Sequence, residues 1–168
     1  MTTRRGALLI AAVATTLLLS ACSGPDTDDH VTDGRTSVWD ENAGAPEVSA
    51  FMNVTVPKDA TEVKGAVQIN PQEDLYILTF VTSEKTAEGI AADLHPQEPL
   101  KAEKVDFARD GDLFTHLGLA EPQTLKGARS AGVCPPCVND HRRKKVQWID
   151  IYVHTLKDDR ARVYLKAF

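Results

Sequence analysis

Alternating apolar and polar residues mark much of the chain after residue 46, and this pattern predicts β-strands. The densest run, 75–81, is rich in β-branched and aromatic residues, which favours a central strand. Two alternating stretches at the C-terminus, joined by the short polar segment 156–159, predict a β-hairpin. The predicted strands are 51–56, 62–69, 75–81, 145–155 and 160–168.

A helix is predicted after the central strand, because apolar residues there recur at helical spacing. Ser83 is a suitable N-cap, and His95-Pro96 ends the helix. Residues 96–136 are interrupted by proline and glycine and predict irregular structure, with one short helix over 112–117 closed by Gly118. The apolar helical positions are Ala87, Ile90, Ala91 and Leu94. These elements predict an α+β domain: a small antiparallel sheet of about five strands, one main helix and a C-terminal β-hairpin.

The N-terminus contains a short apolar run, residues 7–19, which follows Arg4 and Arg5. As a helix its 13 residues would reach about 20 Å, less than the roughly 30 Å hydrocarbon core of a bilayer. A positive start, a short apolar stretch and small residues before a cleavage point are typical of a secretory signal. We therefore expect residues 1–21 to be a signal peptide. Its two arginines leave the choice between general secretion and twin-arginine export open.

The signal ends in Leu19-Ser20-Ala21-Cys22, and this sequence resembles the lipobox of bacterial lipoproteins over residues 1–22. The resemblance implies that a diacylglyceryl group is attached to the sulfur of Cys22 and that the chain is cleaved before Cys22. It also implies acylation of the new N-terminus in many bacteria, and several acyl chains anchor a protein stably. We therefore expect a lipid-anchored protein on the extracytoplasmic face of the cell membrane. The alternative is an ordinary secretory signal with an unrelated cysteine at its end.

Residues 22–45 have almost no core-forming side chains and an excess of acidic ones. Such a segment buries too little apolar area to offset the entropy lost on ordering, so we predict a disordered acidic tether. Trp39 is either incidentally exposed there or docks on the domain as its first ordered residue. Residues 46–168 are then a single α+β domain with one core. Its pattern resembles small lipoproteins of high-GC bacteria, a resemblance that implies no activity.

The net charge of the chain narrows the classes of partner that it can bind. The chain has 19 lysine and arginine residues and 24 aspartate and glutamate residues; without Arg4 and Arg5 the balance is 17 against 24, a net charge of −7. Nucleic-acid binding depends on basic surface, so we expect no nucleic-acid partner. The sequence shows no nucleophile elbow, zinc-protease helix or glycine-rich phosphate loop, so we predict neither catalytic residues nor a cofactor.

Cys134-Pro-Pro-Cys137 is the sharpest motif, because with Cys22 lipidated these are the two cysteines left in an oxidising compartment. The first interpretation is a structural disulfide that contributes about 2 kcal/mol. The second is a thiol–disulfide exchange site, with the basic residues 142–145 lowering a thiol pKa. The third is a metal site in which His141 joins the two thiolates. A fourth ligand would come from His30, His95, His116 or His154.

The basic run 142–145 also has two interpretations. It is a solvated loop, or it contacts anionic lipid headgroups or wall polymer beside the anchor. From the anchor, the tether and the small acidic domain, we predict a non-enzymatic binding or structural module of the cell envelope. Its partners would be the membrane, through the lipid on Cys22, and an envelope protein or ligand. The alternative is an extracytoplasmic thiol–disulfide or metal-binding protein that uses Cys134 and Cys137.

Overall fold

The computed structural model describes residues 36–102 and 112–168, which form an antiparallel sheet with two α-helices packed on it. Within these residues the sheet has seven strands, so the predicted α+β class is confirmed and the predicted number of strands was too low. The strands are β1 (Val38–Trp39), β2 (Thr61–Ile69), β3 (Leu75–Ser83), β4 (Lys101–Ala102), β5 (Ala128–Val133), β6 (Ile149–Thr155) and β7 (Arg160–Ala167). The helices are α1 (Ala45–Met52) and α2 (Glu84–Asp93), with short 3-10 helices at Phe114–Leu117, Pro122–Thr124, Pro135–Val138 and His141–Arg143.

The strand order is β1-β2-β3-β7-β6-β5-β4, and every neighbouring pair is antiparallel. β2, β3 and the C-terminal hairpin of β6 and β7 confirm predicted strands. The middle position belongs to β7, so the prediction that β3 is central was wrong by one strand. The consecutive residues Val163, Tyr164 and Leu165 are all buried, which shows that β7 is covered on both faces.

Both helices pack on the same face of the sheet and build the larger core. α1 lies over β2 and β3, whereas α2 lies over β3, β7 and β6. The buried side chains of this core include Val48, Met52, Leu78, Phe80, Ala87, Ala91, Ile151, Val163 and Leu165. The opposite face carries a smaller cluster around Ile77 and Tyr164, against which residues 113–125 pack. The two helices therefore leave one face of the sheet to an irregular segment.

The main helix, α2, lies close to where the sequence predicts it. Ser83 is the N-cap, and its Oγ accepts a hydrogen bond from the main-chain N–H of Thr86 at 3.1 Å. Ala87 and Ala91, one helical turn apart, are buried against the sheet. The predicted short helix before Gly118 is also confirmed, as a 3-10 helix closed by that glycine at a φ of 73°.

The prediction of a strand over 51–56 was wrong, because this stretch contains the end of α1 and a segment outside the sheet. Pro46 stands in the first turn of α1, where its missing N–H costs nothing. Val48 and Met52 lie one turn apart and are fully buried, and Asn53 ends the helix in the left-handed region. The alternating polarity of residues 51–56 fits a strand. The chain nevertheless forms the end of α1 here, because one side of that helix is buried.

The sheet begins inside the segment predicted as a tether, so the domain boundary at residue 45 is corrected to a point before Val38. β1 pairs with the end of β2 through two residues. Trp39 holds β1 in place, because its ring stacks on the imidazole of His116. Trp39 therefore docks on the domain, which the sequence left open. The rest of the predicted tether, 22–35, lies outside the described residues.

The segment 96–136 contains two strands, β4 and β5, where the sequence predicts irregular structure. β5 consists largely of small residues, and Gly132 shows the reason: a Cβ there would stand 2.4 Å from Cζ2 of Trp148. Small side chains weaken the alternation on which a strand prediction depends. The predicted strand 145–155 also begins later, at Ile149, because the residues before it form a loop.

One edge of the sheet is irregular. β2 contains a β-bulge between Thr61 and Lys64, where Glu62 has a positive φ of 52°. Because β1 covers only the distant end of β2, the bulged half lies at the edge. The carboxylate of Glu62 forms an ion pair with Arg162 on β7, which holds the bulge against the sheet. The other edge is β4, a strand of two residues.

Candidate functional site

The strand register brings the loops singled out by the sequence to one end of the sheet. β1 starts opposite Ile69, beside the turn between β2 and β3, and β7 ends opposite Tyr76 at the start of β3. Ile149 pairs with the end of β7 and with Val133 at the end of β5, so residues 134–148 lie at the same end. We call this the entry end; it contains Thr36, the turn 70–74, residues 134–148 and Phe168. The opposite end, with the start of α2 and the turn 156–159, is the far end.

Cys134 and Cys137 form a disulfide that closes one 3-10 turn at the entry end. Their Cα atoms are 5.2 Å apart, and the N–H of Cys137 donates to the carbonyl oxygen of Cys134 at 2.9 Å. Asn139 ends the turn in the left-handed region, at a φ of 53°. Cys134 is buried, whereas Cys137 is exposed and Val138 is 43% exposed. The disulfide loop, residues 134–139, is therefore a braced turn with an exposed apolar tip.

Asp140 follows the disulfide loop and fixes the next turn. Its Oδ1 accepts a hydrogen bond from the main-chain N–H of Arg142 at 3.1 Å and so caps the short helix His141–Arg143. Its side chain is only 6% exposed and also accepts from the guanidinium groups of Arg142 and Arg143. Burial alone would raise the pKa of Asp140, but the hydrogen bonds from the two arginines outweigh it and lower the pKa to about 2. The carboxylate is therefore ionised near pH 7.

Arg143 is the centre of the site, because its guanidinium is buried and reaches the ends of both helices. The residue is 2% exposed. Its Nε donates to the carbonyl oxygen of Met52 at 3.1 Å, and its Nη2 donates to that of Asn53 at 3.2 Å, both at the end of α1. Its Nη1 donates to the carbonyl oxygen of Asp93 at 3.3 Å, at the end of α2. One cation thus satisfies free carbonyl groups at the negative ends of two helix dipoles.

Two carboxylates neutralise the buried cation. Oδ2 of Asp93 lies 2.7 Å from Nη2 of Arg143, and Oδ2 of Asp140 lies 2.5 Å from its Nη1. The half-exposed Arg142 pairs with the same two carboxylates. Hydrogen bonds from Arg143 and Arg142 lower the pKa of Asp93. We call these four side chains the arginine cluster: Asp93, Asp140, Arg142 and Arg143.

The prediction of a solvated loop over 142–145 was therefore wrong for Arg143 and holds for Lys144 and Lys145, which are exposed. Arg143 leaves water because helix carbonyls and carboxylates replace every hydrogen bond that water would accept. The sequence contained one signal for the cluster, since an aspartate two residues before Arg142 is a capping pattern. Nothing in the sequence links Asp93 to Arg143, because 50 residues separate them.

Open clefts flank the arginine cluster. One, of about 580 Å³, lies between α2 and residues 53–55. Another, of about 770 Å³, runs beside the disulfide loop and is lined by Val138, His95 and Pro96. Arg142 lines both, so the half-exposed arginine separates the two spaces.

A further cleft, of about 470 Å³, lies beside Lys144 and Lys145. Its apolar part is the stacked pair of Phe51 and Tyr76, whose ring centroids are 3.7 Å apart. Glu47 is the carboxylate that lines this cleft. Burial, followed by the charges of Asp74 and Glu47, raises the pKa of Tyr76. The cleft therefore combines aromatic surface with two exposed cationic side chains.

Residues 36–102 and 112–168 contain no preformed metal site, because no group of three or more His, Cys, Asp or Glu side chains there could hold an ion. The sulfurs of Cys134 and Cys137 are bonded to each other, and a disulfide offers no thiolate to a metal. His141 is exposed at the start of its short helix. Cys22 and His30 lie outside the described residues.

No helix of the described part has the length and apolar character needed to cross a bilayer. Comparison with known proteins finds no matching family model, no matching curated protein and no matching solved structure. Function is therefore inferred from the chemistry of the entry end.

Proposed function

We propose that this protein is a lipid-anchored, non-enzymatic binding or structural module of the cell envelope, and that its entry end is the contact surface. Cys22 carries the lipid, and the protein is located on the extracytoplasmic face of the cell membrane. The observation that carries the proposal is the arginine cluster, which fixes the segment after the disulfide loop to the ends of both helices.

The charged side chains of the arginine cluster are arranged to hold the backbone at the ends of α1 and α2. All three guanidinium nitrogens of Arg143 donate to oxygens of the protein. Four of these acceptors are main-chain or carboxylate oxygens at the ends of α1 and α2. General acids and bases work best with a pKa near the working pH, whereas Asp140 has a pKa of about 2. The cluster is suited to positioning loops, and this supports a binding or structural role.

The disulfide loop gives the entry end a preformed surface. The covalent bond, the left-handed turn at Asn139 and the cap at Asp140 already fix its conformation, so binding through it orders little further chain. Pro136, Cys137 and Val138 are exposed at its tip. Rigid apolar projections of this kind are suited to contact with another surface.

Anchoring is tested by feeding cells a fatty acid that carries a chemical tag. The wild-type protein should incorporate the tag, and Cys22→Ser should lose it. The double variant Cys134→Ser/Cys137→Ser is the matched control, because it removes the other two cysteines of the chain and should keep the tag. Tag retained by Cys22→Ser, or missing from the wild type, contradicts lipidation of Cys22.

The contact surface is tested with a photoreactive amino acid at Val138 and, as a control, at Lys157 in the far-end turn. Both positions are exposed. In intact cells an adduct, to a protein or to a phospholipid, should form from position 138 and not from position 157. Equal reaction from both positions, or none from 138, would show that the entry end is not the contact surface.

A second candidate, thiol–disulfide exchange, is favoured by one observation: Cys137 is exposed although Cys134 is buried. An attacking thiolate needs one accessible sulfur, and Cys137 supplies it. The discriminating measurement is the reduction potential of the pair. A structural disulfide should lie below about −300 mV, and a catalytic one well above it. A value above that limit, with turnover of a reduced test protein, would favour exchange over the binding module.

A further inference from the structure

We infer that the entry end is a second membrane contact: the tip of the disulfide loop enters the bilayer interface while Lys144 and Lys145 meet anionic phospholipid headgroups. The inference deepens the proposed function and rests on it, since the lipid on Cys22 is what brings this end to the bilayer. The occupant of the surface is an anionic bilayer.

The position of the chain entry supports a bilayer as the occupant. Thr36, the first described residue, lies at the entry end, because β1 starts there. Thirteen residues lie between Cys22 and Thr36, so even a fully extended chain places the lipid-bearing residue within about 50 Å of this end. The far end of the sheet is one strand length farther from Thr36. A membrane that holds Cys22 therefore meets the entry end at a high effective concentration.

The tip of the disulfide loop is suited to the interfacial region of a bilayer. Its exposed residues Pro136, Cys137 and Val138 carry no charge. Within the described residues, Val138 is one of four large hydrophobic side chains that are markedly exposed. The main-chain N–H groups of Cys137 and Asn139 already donate within the turn, so partial burial of the tip exposes few unsatisfied donors to lipid.

Lys144 and Lys145 supply the attraction to anionic headgroups. Both are exposed, and the structure shows no ion pair or hydrogen bond for either within the described residues. Their neighbours Arg142 and Arg143 are already neutralised by the carboxylates of the arginine cluster. Glu47 lines the same cleft and offsets part of the charge. Each free lysine near an anionic surface should strengthen binding about fivefold.

The experiment uses the mature protein as cells export it, mixed with vesicles, with an environment-sensitive fluorescent amino acid at Val138 or at Lys157. In vesicles that contain phosphatidylglycerol, emission from position 138 should shift to the blue, and emission from position 157 should stay unchanged. In pure phosphatidylcholine vesicles the shift at 138 should be much smaller. No shift at 138, an equal shift at 157, or equal shifts in both lipids overturns the inference.

Charge variants give the second test. Lys144→Glu/Lys145→Glu should abolish the shift at position 138 in phosphatidylglycerol vesicles. The matched control is Lys85→Glu/Lys126→Glu, which makes the same change in charge at exposed positions near the far end and should keep the shift. A shift that survives the first pair, or is lost equally in the second, overturns the inference.

The two proposals fail in different ways. Protein that does not sediment with any vesicle shows that the lipid anchor is wrong, and with it the proposed function. Protein that sediments while the probe at Val138 stays in water leaves the anchor intact and overturns the second contact.

Discussion

The indole of Trp39 and the imidazole of His116 stack face to face, with ring centroids 3.9 Å apart and an angle of 3° between their planes. The contact joins the first strand of the sheet to residues 113–125, which pack on the same face. Because β1 contributes only two paired residues, ladder hydrogen bonds alone hold it weakly. The stacked rings therefore add a side-chain attachment to the short ladder of β1.

Trp39→Ala should lower the free energy of unfolding by about 2–3 kcal/mol, through lost apolar burial and the lost ring contact. His116→Ala removes the ring contact alone and should cost about 1 kcal/mol. Urea unfolding followed by far-ultraviolet circular dichroism measures both. Val38→Ala, an exposed position in the same strand, is the control and should change little. A Trp39→Ala protein as stable as Val38→Ala would contradict this role.

Arg143→Met should be the most destabilising substitution in the arginine cluster, costing about 3–5 kcal/mol. It leaves the nearly buried carboxylate of Asp140 without its closest cation and the terminal carbonyls of both helices without a donor. Arg142→Met is the matched control, because Arg142 is half exposed and its ion pairs are screened by water; it should cost about 1 kcal/mol or less. Equal losses from the two variants in urea unfolding would show that Arg143 is not the centre of the cluster.

Stability should fall at acidic pH through the carboxylates of the arginine cluster. The folded pKa of Asp140 is about 2, below its ordinary value of 3.8, and that of Asp93 is lowered as well. The unfolded chain therefore binds protons more readily than the folded one. The contribution is present in full above about pH 4 and is lost as the pH falls towards 2. Urea midpoints measured across this range should drop steeply in the wild type and less steeply in Asp140→Asn; parallel curves would contradict the assignment.

Gly65→Ala should destabilise the protein by about 1–3 kcal/mol, because a Cβ at residue 65 would stand 2.6 Å from the Cα of Ala45 at the start of α1. The backbone of the helix or of β2 would have to move. Gly89→Ala is the matched control, since its Cβ meets open space and alanine favours the helical conformation of α2. It should stabilise the protein by about 0.5–1 kcal/mol in thermal or urea unfolding. A neutral Gly65→Ala would mean that α1 packs less closely on β2 than the structure shows.

The sequence predicts correctly those strands and helices whose conformation is determined by their own side chains. β2, β3 and the hairpin alternate clearly, and α2 has a strong N-cap at Ser83 together with a buried alanine face. β5 escaped prediction because the ring of Trp148 requires glycine at residue 132, and small residues carry little periodicity. α1 was misread because Val48 and Met52 reveal a helical face only once the start of the helix at Pro46 is known.

The sequence predicted the covalent part of the site, and for the arginine cluster it offered only the capping aspartate, Asp140. Cys134 and Cys137 stand at a spacing that permits one tight turn, and the structure closes it. The burial of Arg143 depends on acceptors at the ends of two helices, and one of those helices was not predicted. A run of four basic residues is ordinarily solvated, and sequence alone does not say which of the four will turn inward.

The bulge in β2 has a consequence for how copies of the chain meet. Proteins held on one surface collide with their edges at high local concentration, and an open, flat strand edge would then template polymerisation from one copy to the next. Here Glu62 twists the edge and Lys64 adds a charge, and β4 at the other edge is only two residues long. Neither edge of the described sheet offers a long regular ladder to a neighbour, so, if the proposed anchor crowds copies of the chain on one surface, edge-to-edge assembly into fibrils should be disfavoured.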